Sequence, residues 1–175
     1  RINIVSLIPA KKNSQELKNK NLKKLNNLSL FELAILGAKK SKFIKKIYLS
    51  SDSSEILKKA KKNKIDLIKR KKFLSTNSAP ANSLILDFIK NHLKNDYKNT
   101  IIVYLQPTSP FRNNNHIDAA IRNFIDNKFR SVVSVFENKN FFKSFYKSKD
   151  ILVPLFKDKF ITNNRQNLKD IYSPN

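Results

Sequence analysis

The chain has 175 residues, 40% hydrophobic and 10% aromatic, which is enough for one domain with a real core and excludes disorder by composition. It has no cysteine, which excludes disulfides and thiolate metal sites, and it lacks the long apolar run that a membrane helix needs. Its 36 Lys and Arg against 13 Asp and Glu give a formal net charge of +23, a balance that suits an anionic partner such as nucleic acid, an acidic membrane face or a phosphorylated substrate.

Residues 2–8, INIVSLI, predict a buried strand that Pro9 ends. Residues 10–27 are polar, dominated by Lys and Asn, and predict a long loop. Leu28, Phe31, Ala34, Ile35 and Ala38 recur at helical spacing and predict a helix over 29–41. Ile44 and Ile47 to Leu49 predict a second strand ending at Ser50-Ser51-Asp52. Asp52 followed by Glu55 resembles a capping pair for a helix over 53–63. Ile65 to Ile68 predict a third strand. A helix over 80–94 follows, carrying Leu84, Ile85, Phe88, Ile89 and Leu93.

Residues 100–105, TIIVYL, are the most strand-like run, and QPTSP breaks it because prolines do not sit in strand interiors. A helix over 115–127 and a strand from Ser131 to Phe136 complete the pattern. Strands alternating with helices of this size indicate an α/β, Rossmann-like three-layer fold with a mainly parallel sheet. The alternation stops after residue 137, and 138–165 reads as irregular apart from a short ILVPLF segment.

The lysines fall on every predicted helix, and Lys, Asn and Ile dominate while glycine occurs once. That is the bias of an AT-rich genome. Nucleic-acid readers gather charge on one element and interleave it with exposed aromatics. Here the 13 phenylalanines sit mostly in apolar stripes, so nucleic acid is not the expected partner. The chain opens directly on INIVSLI with no signal-peptide pattern, and a cytoplasmic protein with no membrane partner is expected.

In an open parallel sheet, ligands bind outside the carboxyl ends of the strands. That edge comprises residues 9–21, Ser50-Ser51-Asp52, the loop after Arg70, and Gln106 to Arg112. The first loop, IPAKKNSQELKNKN, contains no glycine and so is neither a Walker loop nor a dinucleotide fingerprint. Lys11, Lys12, Lys18 and Lys20 crowd the end of the strand, with Asn13, Ser14 and Asn21 as neutral hydrogen-bonding groups. A triphosphate needs both cations and fixed donors. On composition alone a solvated lysine loop accounts for the same residues. Asp52 reads as an N-cap ahead of a catalyst.

The loop resembles the nucleotide-binding signature of the CMP-sialic acid synthetase (acylneuraminate cytidylyltransferase) family, I-P-A-R-x-G-S-K-x-x-x-x-K-N. Ile8, Pro9, Ala10, Ser14, Lys20 and Asn21 match, while Lys11, Asn13 and Gln15 stand where arginine, glycine and lysine are usual. SSDSSEILKKAKK is similar to the family's S-T-D-x-x-E-I-x-x-x-A stretch. RKKFLSTNSAP is similar to its R-P-x-x-L-A/S-x-D-x-A-P/S loop, with Asn77 in place of aspartate. LQPTSPFR matches L-Q-P-T-S-P-L-R almost letter for letter, and RQNLKDIYSPN is similar to R-Q-x-L-x-x-x-Y/F-x-P-N. These segments occur in the family's order along the chain. The 3-deoxy-manno-octulosonate cytidylyltransferases fit less well, since they typically lack the Lys-Asn pair and QPTSP.

The resemblance implies a nucleotidyltransferase fold and an enzyme that transfers CMP from CTP to the anomeric hydroxyl of a nonulosonic (sialic-type) acid, releasing pyrophosphate. It implies nucleotide contacts from Lys11, Ser14, Lys20, Asn21, Arg70, Ala79 and Gln106. Sugar contacts would come from Gln106, Thr108, Ser109, Lys143 and Arg165, with Lys20, Gln106 and Arg165 closest to the chemistry. The bland alternatives are loop capping for Ser14, turn chemistry for Thr108 and Ser109, helix-start packing for Ala79, and surface charge for Arg70, Lys143 and Arg165. Ser173 stands where the family often has a sugar-binding arginine. A homodimer is implied, with residues 138–164 as its arm within a single cytidylyltransferase domain over 1–175. Mg²⁺ is implied as well. The family's metal carboxylates follow a Pro-Asn-Gly point, so they and the last strand and helix are expected outside a truncated 1–175. A catalytically degenerate family member and a non-catalytic basic nucleic-acid binder are the competing readings.

Overall fold

The central strand of the molecule, β1 (Asn3–Pro9), is covered on both faces. Val5, Ser6, Leu7 and Ile8 are each 0% exposed, as expected for a strand with neighbours on either side and helices above and below. This is a computed structural model, and it describes residues 2–12, 17–76, 78–128, 131–138, 141, 144–149, 151–156 and 171–174. The chain divides into two compact units, Arg1–Phe129 and Arg130–Asn175.

In the first unit, β1 is followed by a 3₁₀ turn at Lys20–Leu22 and a short hairpin, β2 (Lys24–Leu25) and β3 (Leu28–Ser29). Then come α1 (Leu30–Lys40), β4 (Lys46–Ser51), α2 (Ser54–Ala60) and β5 (Asp66–Lys69). The unit closes with α3 (Ala81–Phe88), β6 (Thr100–Tyr104) and α4 (Asn114–Asp126). Four strands form one parallel sheet in the order β5-β4-β1-β6. The chain moves outward from β1 through β4 to β5, then returns to the other side of β1 as β6. That reversal separates the loops that follow β1 and β6 and opens a crevice between them.

Alternation along β1 divides the core. Ile4 and Ile8 face one way, into a cluster with Phe31, Ile35, Ile56, Ile117 and Ile121 from α1, α2 and α4. Val5 and Leu7 face the other way, into a cluster with Leu74, Leu84, Phe88 and Leu93. The result is the expected three-layer arrangement.

Helix α1 starts at Ser29, whose N–H and Oγ both donate to Glu32 Oε2, at 3.0 and 2.6 Å. Lys62 bridges the other Glu32 oxygen at 2.8 Å. Gly37 of α1 faces α4, where a Cβ would lie 3.4 Å from Ile117 Cδ1. The buried Asp118 of α4 accepts from Ser41 Oγ at 2.5 Å and from the Lys42 N–H at 3.2 Å, tying α4 to the end of α1.

Several sequence expectations are corrected. The loop expected over 10–27 contains the Lys20–Leu22 turn, β2 and the turn of the β2–β3 hairpin. Asn26 and Asn27 occupy the hairpin turn with φ of 47° and 69°, a region that asparagine tolerates and tight hairpins require. Asp52 does not cap α2. Ser53 does, its Oγ accepting from the Ile56 N–H at 3.3 Å. The helix over 80–94 is α only through Phe88, then widens to a π turn at Ile89–Leu93 and tightens to 3₁₀ at Lys94–Asn99.

The second unit has two antiparallel ladders. The strand expected over 131–136 is the shorter β7 (Val135–Glu137), and it does not join the parallel sheet. Beyond it lies a hairpin of β8 (Phe145–Ser148) and β9 (Ile151–Pro154), within a stretch expected to be irregular. Strand β10 (Tyr172–Pro174) pairs with β7, and Asn138 Nδ2 donates to Ser173 Oγ at 3.2 Å. All three residues of β7 are exposed, so it lacks the two covered faces of a parallel strand. Among the described residues, no helix is long and apolar enough to cross a membrane.

Candidate nucleotide site

The loop after β1 is anchored at both ends. At its start, the Ala10 N–H donates to Ser50 O at 2.9 Å, and Ser51 Oγ donates to Ala10 O at 2.5 Å. The Lys12 N–H donates to Asp52 Oδ1 at 2.7 Å. Asp52 therefore anchors the loop. At the far end, the buried Asn21 donates from Nδ2 to Lys11 O at 2.8 Å. A loop closed on itself in this way presents Lys11 and Lys20 from fixed positions rather than as solvated tails.

Arg70 follows β5 and is 8% exposed. Its Nε donates to Ser50 Oγ at 3.2 Å and its Nη2 to Ser50 O at 2.9 Å. Its N–H donates to Ser51 O at 2.8 Å. Two of five side-chain N–H donors are thus committed to the protein. Burial pushes the guanidinium pKa down, while Tyr104 and Asp52 pull it up. An arginine stays protonated under such opposing influences, so a desolvated cation sits at the sheet edge. Among the described residues, no carboxylate is within ion-pair distance of it. Tyr104, the last residue of β6, lies beside it. Burial raises the phenol and Arg70 opposes that rise, so the hydroxyl is neutral near pH 7 and can donate or accept.

Beyond β6, the Leu105 N–H donates to Leu7 O at 3.0 Å, and Gln106 then leaves the sheet into a turn. These elements enclose an open cleft of about 220 Å³. Lys11, Lys20 and Arg70 supply its positive charge. Asn21, Thr76, Tyr104, Gln106 and Thr108 supply neutral polar groups. Leu74, Ala79, Pro80, Ala81 and Leu84 make an apolar wall, and Pro9 and Pro107 complete the lining. Among the described residues, no carboxylate lines the cleft. A basic end beside an apolar wall suits a ligand with a polyanionic tail and a flat ring.

Seven residues singled out from the sequence, Lys11, Lys20, Asn21, Arg70, Ala79, Gln106 and Thr108, line this one cleft. Ser109 does not line it. Its N–H closes the turn on Gln106 O at 3.4 Å. Ser14, Lys143 and Arg165 lie outside the described residues, as do Asn13, Gln15 and Asn77. Tyr104, Thr76, Leu74 and Leu84 were not anticipated. Tyr104 was findable as the final residue of the strongest strand, on the edge where ligands bind. Among the described residues, no three His, Cys, Asp or Glu side chains converge to hold a metal.

Comparison with known proteins gives these features a family. The chain is 33% identical over 138 residues to an N-acylneuraminate cytidylyltransferase of Escherichia coli O18:K1:H7, covering 77% of this chain and 32% of that protein. It is 29% identical over 135 residues to post-translational flagellin modification protein B of Campylobacter coli, covering 75% of this chain and 57% of that protein. It therefore spans less than two thirds of the length of these relatives. Among solved structures, a CMP:2-keto-3-deoxy-manno-octonic acid synthetase complexed with CTP superposes with a TM-score of 0.59 at 14% identity, covering 72% of this chain and 48% of that one. A cytidylyltransferase from Leptospira borgpetersenii superposes with a TM-score of 0.56 at 22% identity, covering 79% and 54%. These likenesses show the nucleotidyltransferase fold. Residues 5–172 match the cytidylyltransferase family, and the chain belongs to that family.

Proposed function

We propose that the chain forms the CTP-binding part of an enzyme that transfers CMP to the anomeric hydroxyl of a nonulosonic acid. The observation that carries the reading is the cleft itself. Lys11, Lys20, Asn21, Arg70, Ala79 and Gln106 come from three separate stretches of sequence and line one cavity at the carboxyl edge of the sheet. The choice of a nonulosonic acid is supported by the relatives, among them a CMP-N,N'-diacetyllegionaminic acid synthase of Campylobacter jejuni that is 41% identical over 59 residues, 34% of this chain and 25% of that protein.

In this reading the triphosphate lies against Lys11, Lys20 and Arg70, with Ser14 adding a hydroxyl. Those cations offset the charge that grows on the leaving pyrophosphate. Asn21 holds the loop and reaches the ribose. The cytosine lies along the wall that begins at Ala79, where backbone groups read its edge. Gln106 sits between nucleotide and sugar, and Thr108 and Ser109 contact the sugar. Arg165 pairs its planar fork with the sugar carboxylate, and Lys143 contributes across a homodimer whose arm is residues 138–164 of a single domain over 1–175. The sugar hydroxyl gives up its proton to solvent water as its oxygen bonds to the α-phosphorus. The bond from that phosphorus to the β-phosphate oxygen breaks, and pyrophosphate departs. Positioning and charge stabilisation supply the rate. The Mg²⁺ expected from the resemblance has no ligand set among the described residues, and no step here is routed through it. A cytoplasmic location goes with this chemistry.

The test is pyrophosphate release by the full-length protein with CTP and sialic, legionaminic or pseudaminic acid in turn. The reading expects release with at least one of them. CTP binding without release from any acid would mean a degenerate member. Nucleic-acid binding that falls steeply with salt, with no CTP binding, would replace the reading altogether.

A further inference from the structure

Arg112 ends the turn that follows β6. Its Nη2 donates to the backbone carbonyl of Gln106 at 3.0 Å. Its own N–H donates to Ser109 O at 3.2 Å, and the Ser109 N–H reaches the same Gln106 carbonyl at 3.4 Å. One carbonyl therefore gathers the whole turn. Gln106 precedes Pro107, which restricts its backbone to extended conformations. The backbone is restricted and the carbonyl held, and the exposed Gln106 side chain lines the cleft, its Oε1 accepting from Thr108 Oγ1 at 3.5 Å.

The arrangement is costly for Arg112. Among the described residues, its buried Nε has no hydrogen-bond partner. Among the described residues, no carboxylate is within ion-pair distance of it. Burial lowers its pKa with nothing opposing. Unlike Arg70, it does not line the cleft. A turn of Pro, Ser and Thr closes without a desolvated guanidinium. Among the described residues, its side chain donates to the Gln106 carbonyl and to no other group.

We infer that Arg112 is a positioning residue for Gln106, holding the Gln106 carbonyl so that the carboxamide enters the cleft at the angle nucleotidyl transfer requires. The inference rests on the proposed reading of the cleft.

The experiment is a double-mutant cycle in the full-length protein, using kcat/KM for CTP. Arg112→Ala should lower kcat/KM about tenfold or more when Gln106 is present, and less than about twofold in a Gln106→Ala background. Arg112→Lys, which keeps a donor, should recover part of the loss and carries the same cycle if the alanine variant folds poorly. Equal losses in both backgrounds would overturn the inference, because a purely structural role is additive. The side-chain amide resonances of Gln106 give a readout that needs no turnover. They should be dispersed in the parent and collapse toward free-peptide positions in Arg112→Ala. Unchanged resonances would overturn the inference even if the parent released no pyrophosphate, a failure that would belong to the functional reading instead.

Discussion

Replacing Arg70 with methionine separates a structural arginine from a ligand-binding one. The change removes donors from Ser50 Oγ and Ser50 O. Ser50 O keeps the Ala10 N–H at 2.9 Å, so only Ser50 Oγ loses its recorded donor, at about 1–2 kcal/mol. Against that, the substitution removes a buried cation that has no recorded carboxylate partner, and such desolvation costs several kcal/mol. Methionine fills a similar volume. The gain matches or exceeds the loss, so Arg70→Met should be at least as stable as the parent, with Tm unchanged or raised. Binding behaves differently. A charge-assisted hydrogen bond to phosphate is worth about 1.5–3 kcal/mol, so the Kd for CTP should rise by about 10- to 100-fold. Calorimetric titration with CTP beside thermal melts reads both quantities. An unchanged Kd with a Tm lowered by more than about 10 °C would refute the reasoning and make Arg70 a strut for β4.

Three further outcomes follow from the same geometry. Burial works to raise the Glu32 carboxyl, but hydrogen bonds from Lys62 and Ser29 overcome it and hold the pKa at about 2 against 4.5. A folded value below the unfolded one gives stability that is present above about pH 4.5 and lost as pH falls toward 2. Glu32→Gln should therefore lose less stability than the parent between those limits, and parallel declines in urea midpoints would count against the bridge. Gly37→Ala should stabilise the protein by about 0.5–1 kcal/mol, since the new Cβ meets Ile117 Cδ1 at ordinary contact distance. A loss of stability in chemical denaturation would show that α1 and α4 are packed too closely for it. Asp52→Ala releases the Lys12 N–H from its anchor and should raise the KM for CTP about fivefold with little change in Tm. An unchanged KM would mean that the loop holds its shape without Asp52.

Much of this was legible because the strand-forming residues are so unambiguous. INIVSLI and TIIVYL became the two strands that flank the crevice, and helical spacing located α1 and α4 to within a residue or two. What sequence could not rank was competition between equivalent side chains. Asp52 and Ser53 are both good N-caps. Ser53 caps the helix, which leaves Asp52 to pin the Lys12 amide 40 residues away in sequence. The Asn26-Asn27 turn was masked by a lysine-rich surround that reads as loop throughout. The strand over 131–136 was misplaced because a short β-branched run looks the same in a central sheet as in a two-stranded ladder. At the site, motif matching located the lysines, Asn21, Arg70 and Gln106. The burial of Arg70 and Arg112 is a tertiary property, invisible in a chain where charge is everywhere. Tyr104 and Leu84 belong to no motif, and only the fold brings them to the cleft.

CTP binding in the cleft beside β1 and β6 can be read residue by residue from amide chemical shifts during a CTP titration. Shifts should concentrate at residues 10–12 and 20–21, at Arg70, at 79–81 and at 104–108, with α1 and α2 unaffected despite their lysines. Shifts scattered over those lysine-bearing helices, or none at all at saturating CTP, would contradict it.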